Sequence, residues 1–296
     1  MLKLVNNSCY FEIIINALHE ALTELDIKHE VVKTYSLVDN NNIYLICTTH
    51  ENSLLPKRYI SYNFEQLITT KVWEPIFFQN LAKAEIVFDY SLENIKELEK
   101  YNIKAHFLPL GYSKNMEYND NDNDNDNDNF EKTVDFSFCG SINNSRYDQL
   151  KTLISIYGKK KDKLVISNNY WGNDLKQLYK KTKIGLNIHY YSGKTILEVH
   201  RILPLIANKI LVISDKSDDK WYDEKYCNLI NFIENKDCKD SLIKANSKVS
   251  SDNDFTLECL KVLQNYNNEI IEKRYQDLVN NHKYIDYVKN IIHLLK

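Results

Sequence analysis

The sequence predicts an α/β protein of two domains. Three observations lead there. Short apolar runs of strand length alternate with segments of helical period, the alternation breaks at a polar Asn/Asp tract and then restarts, and 296 residues suffice for two cores of ordinary size.

Leu2 to Val5 is a short apolar strand, and Cys9 to Leu25 carries Ile14, Ala17, Leu18, Ala21, Leu22 and Leu25 at helical spacing. His29 to Tyr35, Ile43 to Thr48, Arg58 to Tyr62, Ile86 to Tyr90 and Ala105 to Leu110 read as further strands, with helices over Phe64 to Ala82 and Leu92 to Tyr101. Such alternation implies a largely parallel sheet covered on both faces. Residues 118–129, YNDNDNDNDNDN, offer nothing to a core after Tyr118 and read as a linker. The repeat contains D-x-D, and Asp120, Asp122, Asp124 and Glu131 stand at calcium-loop spacing. However, Asn125 occupies the required glycine position and no amphipathic helix precedes, so the tract is expected to hold no metal.

Beyond the tract, Val134 to Cys139 is a strand, Tyr147 to Tyr157 a helix, Leu164 to Ser167 a strand and Leu175 to Lys181 a helix. Ile184 to Ser217 is then a complete strand, polar loop, helix and strand, and Leu229 to Ile233 closes the sheet. Pro204 is expected to kink or restart the helix of that unit. Two helical patterns remain after Phe255, the last over Tyr284 to Leu295. The expected divisions are 1–116 and 131–274 for the α/β domains, 117–130 for the linker, and 275–296 for a helix that caps the second domain or crosses back to the first.

A hydrophobic fraction of 43% with 27% charged residues is that of a soluble globular protein, and a net charge of −3 gives no electrostatic reason to expect nucleic acid. The six cysteines form no C-x-x-C and no zinc spacing, which fits a reducing compartment. No signal peptide is evident, and no apolar run approaches the ~18 residues of a membrane span. The expectation is a cytoplasmic protein; any work at a membrane would be peripheral.

With six glycines, at 111, 140, 158, 172, 185 and 193, neither G-x-G-x-x-G nor a P-loop can be built, which disfavours dinucleotide and P-loop enzymes. Gly140-Ser141 closes a strand before a helix that opens with Asn143 and Arg146. Small residues there admit a phosphate to backbone N–H groups, and arginine adds a two-pronged donor; the plain alternative is a tight turn with an exposed arginine. Asn187, His189, Tyr190 and Tyr191 lie at the carboxyl end of a buried strand, where open parallel sheets bind ligands, and Lys194 joins them in the following loop. Glu198 and Arg201 share a helix face. They either pair with each other or divide a ligand, Glu198 on ribose hydroxyls and Arg201 on phosphate. In the first domain His50, Glu65 and Asp89 are eligible as a general base; each also has a structural use, as loop donor, helix-start carboxylate and cap.

The segments HENSLLPKRYISYNFEQL, FDYS with HFLPLGY, FCGSINNSRYDQL and GLNIHYYSGKTILEVHRILPLIANKILVISDKS together resemble family 1-like glycosyltransferases of the GT-B type, across both domains except the tract. The resemblance implies two Rossmann-like domains facing across a cleft, with C-terminal helices. It also implies a nucleotide-sugar donor held mainly by the second domain, a glycan, protein or lipid acceptor, and no cofactor or obligatory metal. Gly140, Ser141, His189, Glu198 and Arg201 become donor-side candidates. A non-catalytic binder of nucleotide sugars or glycans and a nucleotide-sugar epimerase are the alternatives.

Overall fold

The computed structural model describes residues 1–49, 54–118, 131–158, 160, 162–191, 193–233 and 252–295, the first three of the last stretch by backbone alone. They form two units: Met1–Glu117 with Lys194–Ile196 and Val279–Lys296, and Tyr118–Gly193 with Leu197–Leu278.

In the first unit β1 (Leu2–Val5), β2 (His29–Val32), β3 (Ile43–Ile46), β4 (Tyr59–Asn63), β5 (Ile86–Asp89) and β6 (His106–Phe107) form one sheet in the order β2-β1-β3-β4-β5-β6. Every pairing is parallel. Helix α1 (Glu12–Glu24) buries Ile14, Ile15, Ala17, Leu18, Ala21 and Leu22, the stripe its spacing predicts. Helix α3 (Leu92–Glu99) starts at Ser91, whose side chain accepts from the N–H groups of Glu93 and Asn94.

The helix expected over Phe64 to Ala82 is shorter: α2 spans Pro75–Lys83. Upstream the chain is irregular, and side chains satisfy its backbone groups. Asn63 Oδ1 accepts from Glu65 N at 3.0 Å, Asn94 Oδ1 accepts from Leu67 N at 2.8 Å, and the Trp73 indole donates to Gln66 O at 3.3 Å. Pro75 then opens α2 at its first position, behind an extended Glu74.

In the second unit β7 (Val134–Cys139), β8 (Leu164–Ser167), β9 (Thr182–Asn187), β10 (Leu211–Asp215) and β11 (Ile230–Ile233) form a parallel sheet in the order β11-β10-β9-β7-β8. Helices α4 (Asn144–Tyr157), α5 (Gly172–Lys181), α6 (Val199–Ala207) and α7 (Lys220–Lys225) alternate with these strands. The core joins Phe136 and Phe138 of β7, Ile184 and Leu186 of β9, Leu211 and Ile213 of β10, and Leu150 and Leu153 of α4. Phe255 and Cys259 of α8 (Asp252–Gln264) complete it.

Helix α6 neither stops nor restarts at Pro204. The missing N–H forfeits one bond, to the His200 carbonyl, and the Pro204 carbonyl still accepts from Asn208 N at 3.1 Å and Nδ2 at 2.7 Å. The helix lies close on β9 because of Gly185, where a Cβ would stand 2.6 Å from Leu205 Cδ1. Asn208 also ties down both flanks of the Asn/Asp tract, whose residues 119–130 lie outside the described ones. Its Oδ1 accepts from Tyr118 N at 2.8 Å, and its carbonyl from Lys132 Nζ at 3.3 Å.

Three helices, not two, follow residue 251: α8, α9 (Asn268–Asn281) and α10 (Tyr284–Ile291). The Asn267 side chain, accepting from Ile270 N at 2.9 Å, ends one and begins the next. Within the first unit α10 packs on α1, and the chain before it bridges to Tyr112: Tyr112 N donates to His282 O at 2.7 Å and Tyr284 N to Tyr112 O at 2.8 Å. A Cβ at Gly111 would stand 2.7 Å from the His282 carbonyl and 2.8 Å from Tyr284 N, both backbone atoms that cannot swing aside. Gly111→Ala should therefore cost about 1–3 kcal/mol in urea unfolding, an overpacking penalty; an unchanged midpoint would show that the segment is not held there.

Candidate functional site

In the second unit the strand order reverses direction between β7 and β9, so the chain leaves the carboxyl ends of these neighbours to opposite sides, the position where open parallel sheets bind ligands. Gly140-Ser141 follows β7, and Asn187-Ile188-His189 ends β9. Helix α6 brings Glu198, at its N-terminal boundary, and Arg201 to the same place.

Glu198 pairs with His189 rather than with Arg201. His189 Nδ1 lies 2.9 Å from Glu198 Oε2, and His189 Nε2 lies 3.2 Å from the Lys216 carbonyl. Both ring nitrogens thus face acceptors, an arrangement that suits an imidazolium. Burial by itself would lower the histidine, but the Glu198 charge, its hydrogen bond and the more distant Asp215 outweigh it and raise His189 to about 9. Burial likewise opposes ionisation of Glu198, yet His189, Arg201 and Asn187 hold it well below the usual carboxylate range.

Asn187 adapts this pair to a second cation. Its Nδ2 donates to Glu198 Oε2 at 3.0 Å and to Ser214 Oγ at 2.9 Å, and its Oδ1 accepts from Arg201 Nη1 at 2.9 Å. Arg201 is half-buried, and its Nη2 lies 3.3 Å from where a Cβ at Gly140 would be. The missing side chain is what lets this guanidinium lie over the turn after β7.

Arg146 is turned inward, 2% exposed. Its Nε donates to the Ile188 carbonyl at 2.9 Å and its Nη1 to the Ser141 carbonyl at 2.7 Å, so it ties the segment after β9 to the turn after β7. Burial, with the charge of Arg201, lowers it to about 10, still cationic at neutral pH. Asn143 caps α4 by accepting from Arg146 N at 2.9 Å, and its amide donates to the Tyr190 carbonyl at 2.6 Å. Tyr190 is 41% exposed, its ring 5.1 Å from the Arg146 guanidinium carbon and set edge-on to Tyr191. Lys194 is exposed and belongs to the first unit.

Ser214, Asp215 and Gln149 complete the cluster, although sequence reasoning passed over them. The Asp215 carboxylate takes hydrogen bonds from the Gln149 side chain and the His189 backbone N–H, while burial pushes its pKa up. The signal was available: Ser214-Asp215 closes an apolar strand with polar residues, as Asn187 closes β9.

In the first unit Asp89 is fully buried and its oxygens are engaged. It accepts from Ser91 N at 2.8 Å, Asn63 Nδ2 at 2.6 Å and Asn94 Nδ2 at 3.1 Å. It ties the end of β4 to the end of β5 and the start of α3. Glu65 is partly exposed, in irregular chain rather than at a helix start; its carbonyl accepts from Asn63 and Asn94. His50 lies outside the described residues.

No family model matches the chain. It is 34% identical over 131 residues to the uncharacterized protein R358 of Acanthamoeba polyphaga mimivirus, a match spanning 44% of this chain and 41% of that relative. Among solved structures it is similar to Anabaena HepE in complex with UDP and glucose, at 8% identity and a TM-score of 0.57 over 99% of this chain and 98% of that one. Similar likeness extends to the sucrose-phosphate synthase of Thermosynechococcus elongatus, at 8% identity and 0.56 over 99% and 98%. For WaaG, a glycosyltransferase involved in lipopolysaccharide biosynthesis, the values are 9% and 0.54 over 98% and 98%. The chain has the fold of these proteins, two Rossmann-like units of the GT-B type.

Glu198→Ala leaves a buried histidine without its counter-charge and should destabilise the protein by about 3–5 kcal/mol in urea unfolding. The pair also sets a pH dependence. Because the folded value of His189 lies above its ordinary 6.5, its contribution is full below pH 6.5 and is lost as pH rises through about 9. Glu198 contributes above its ordinary 4.5 and loses its share only in stronger acid. The stability advantage of wild type over His189→Gln should be greatest between pH 4.5 and 6.5 and shrink toward pH 9. An advantage that grows with pH would contradict the charged pair.

Proposed function

We propose that this protein is a glycosyltransferase that moves a sugar from a nucleoside-diphosphate donor to a glycan, protein or lipid acceptor. The observation that carries the reading is the half-buried guanidinium of Arg201, held over Gly140 at the divergent ends of β7 and β9 in a fold of the GT-B type. At that edge of a parallel sheet, arginine and the backbone of a small-residue turn suit a diphosphate. Arg201 contacts phosphate, with the Gly140-Ser141 turn beside it. Tyr190 offers a flat exposed ring in the same neighbourhood.

His189, Glu198 and Arg146 serve this edge from beneath. Their charges are buried and fixed before a ligand arrives, so little reorganisation accompanies the development of negative charge on the leaving diphosphate. The guanidiniums of Arg201 and Arg146 take the role that a divalent ion has in metal-dependent transferases, and the reaction proceeds without one. HepE, described in complex with UDP and glucose, suggests the first donors to try.

The test is a panel of nucleotide sugars, scored for binding by calorimetry and for release of nucleoside diphosphate with and without EDTA. Wild type should bind at least one donor and turn it over equally well with the chelator. Arg201→Ala should weaken that binding on the order of tenfold to a hundredfold, the worth of a charge-assisted hydrogen bond. Binding without turnover would favour a non-catalytic binder, and failure to bind any donor would overturn the proposal.

A further inference from the structure

Ser214, at the end of β10, lies beneath the phosphate contact without reaching the crevice itself. It is fully buried, and its hydroxyl donates to the Asp215 carbonyl at 2.8 Å. Its single proton is thereby committed, and a lone pair is left for Asn187 Nδ2 at 2.9 Å. The other Nδ2 proton goes to Glu198 Oε2 at 3.0 Å. Both amide protons are used, so Oδ1 must face Arg201 Nη1, 2.9 Å away. The opposite orientation of the amide would set its NH2 against a guanidinium N–H and its oxygen against a carboxylate and a hydroxyl oxygen with no proton to offer. The chain of donation therefore has one direction, from Arg201 through Asn187 and Ser214 to the Asp215 carbonyl.

We propose that Ser214 is a positioning residue that locks the Asn187 amide and through it aims the Arg201 guanidinium at the bound diphosphate. The inference rests on the reading of Arg201 as a phosphate contact. Glu198 alone would fix the amide only partly, because a carboxylate oxygen accepts over a wide range of angles. The hydroxyl supplies a second point, and two points define the plane of the amide. Arg201 has long side-chain rotamers to choose among and is only half-buried, so an oriented acceptor on one nitrogen decides where its other nitrogens point.

A double-mutant cycle on the full-length protein, with inorganic pyrophosphate as probe and calorimetry as readout, tests this. Pyrophosphate removes any contribution from base or sugar. Arg201→Ala should weaken binding about tenfold or more, and Ser214→Ala about threefold to tenfold, the worth of one hydrogen bond. Ser214→Cys, which keeps a weak acceptor, should fall between wild type and Ser214→Ala. The discriminating result is the double variant, which should bind no worse than Arg201→Ala alone, because Ser214 acts only through that side chain. Urea unfolding of each variant confirms that the native state dominates under the binding conditions. If wild type does not bind pyrophosphate, or Arg201→Ala binds it equally well, the phosphate reading itself falls and the inference with it. If Arg201→Ala weakens binding but Ser214→Ala does not, or if the Ser214 effect persists in full without Arg201, only the positioning role is overturned.

Discussion

A buried imidazolium and a buried carboxylate 2.9 Å apart hold the second unit's site together. Neither charge is tolerable alone at that depth, and each makes the other's ionised form the stable one. His189 comes from the end of β9 and Glu198 from the boundary of α6, so their pairing fixes the loop between strand and helix at both ends. Asn187 then builds outward on the same carboxylate oxygen, and Arg201 on the Asn187 amide oxygen. The site is consequently a stack: ion pair at the bottom, neutral amide in the middle, guanidinium at the edge of solvent.

Features far from the charges make the stack possible. Gly185 lets Leu205 lie against β9, which brings α6 close enough for Glu198 to reach His189. Gly140 leaves the space that Arg201 occupies. Arg146 donates to the Ile188 and Ser141 carbonyls and turns Nη2 toward Glu198, 3.9 Å away, so the turn after β7 and the segment after β9 are held by one side chain. In the first unit Asp89, wholly buried, accepts from the amides of Asn63 and Asn94 and the N–H of Ser91.

Much of this was legible in the sequence because strands buried on both faces, turns and helix stripes are local patterns. The break at the Asn/Asp tract and the restart at Val134 announced two units, and the polar residues closing β9 announced the site. What escaped depends on tertiary partners. Spacing alone leaves Glu198 free to pair with Arg201, and only the fold shows His189 waiting above it. Arg146 reads either as a phosphate contact or as a solvent-facing arginine until its burial is seen. Phe64 to Glu74 reads as the start of a helix, yet Asn63 and Asn94, distant in sequence from each other, claim its backbone groups. Ser214 was overlooked because a serine in an apolar strand carries no chemistry until its neighbours are known.

The central claim is that a donor's diphosphate lies at the ends of β7 and β9 against Arg201. A crystal structure of the protein grown with a nucleoside diphosphate tests it most directly. The account predicts phosphate oxygens within hydrogen-bond distance of the Arg201 guanidinium and of the Gly140-Ser141 backbone, with the His189–Glu198 pair unmoved beneath them. Phosphates bound elsewhere, or a His189–Glu198 pair that opens to admit them, would contradict it.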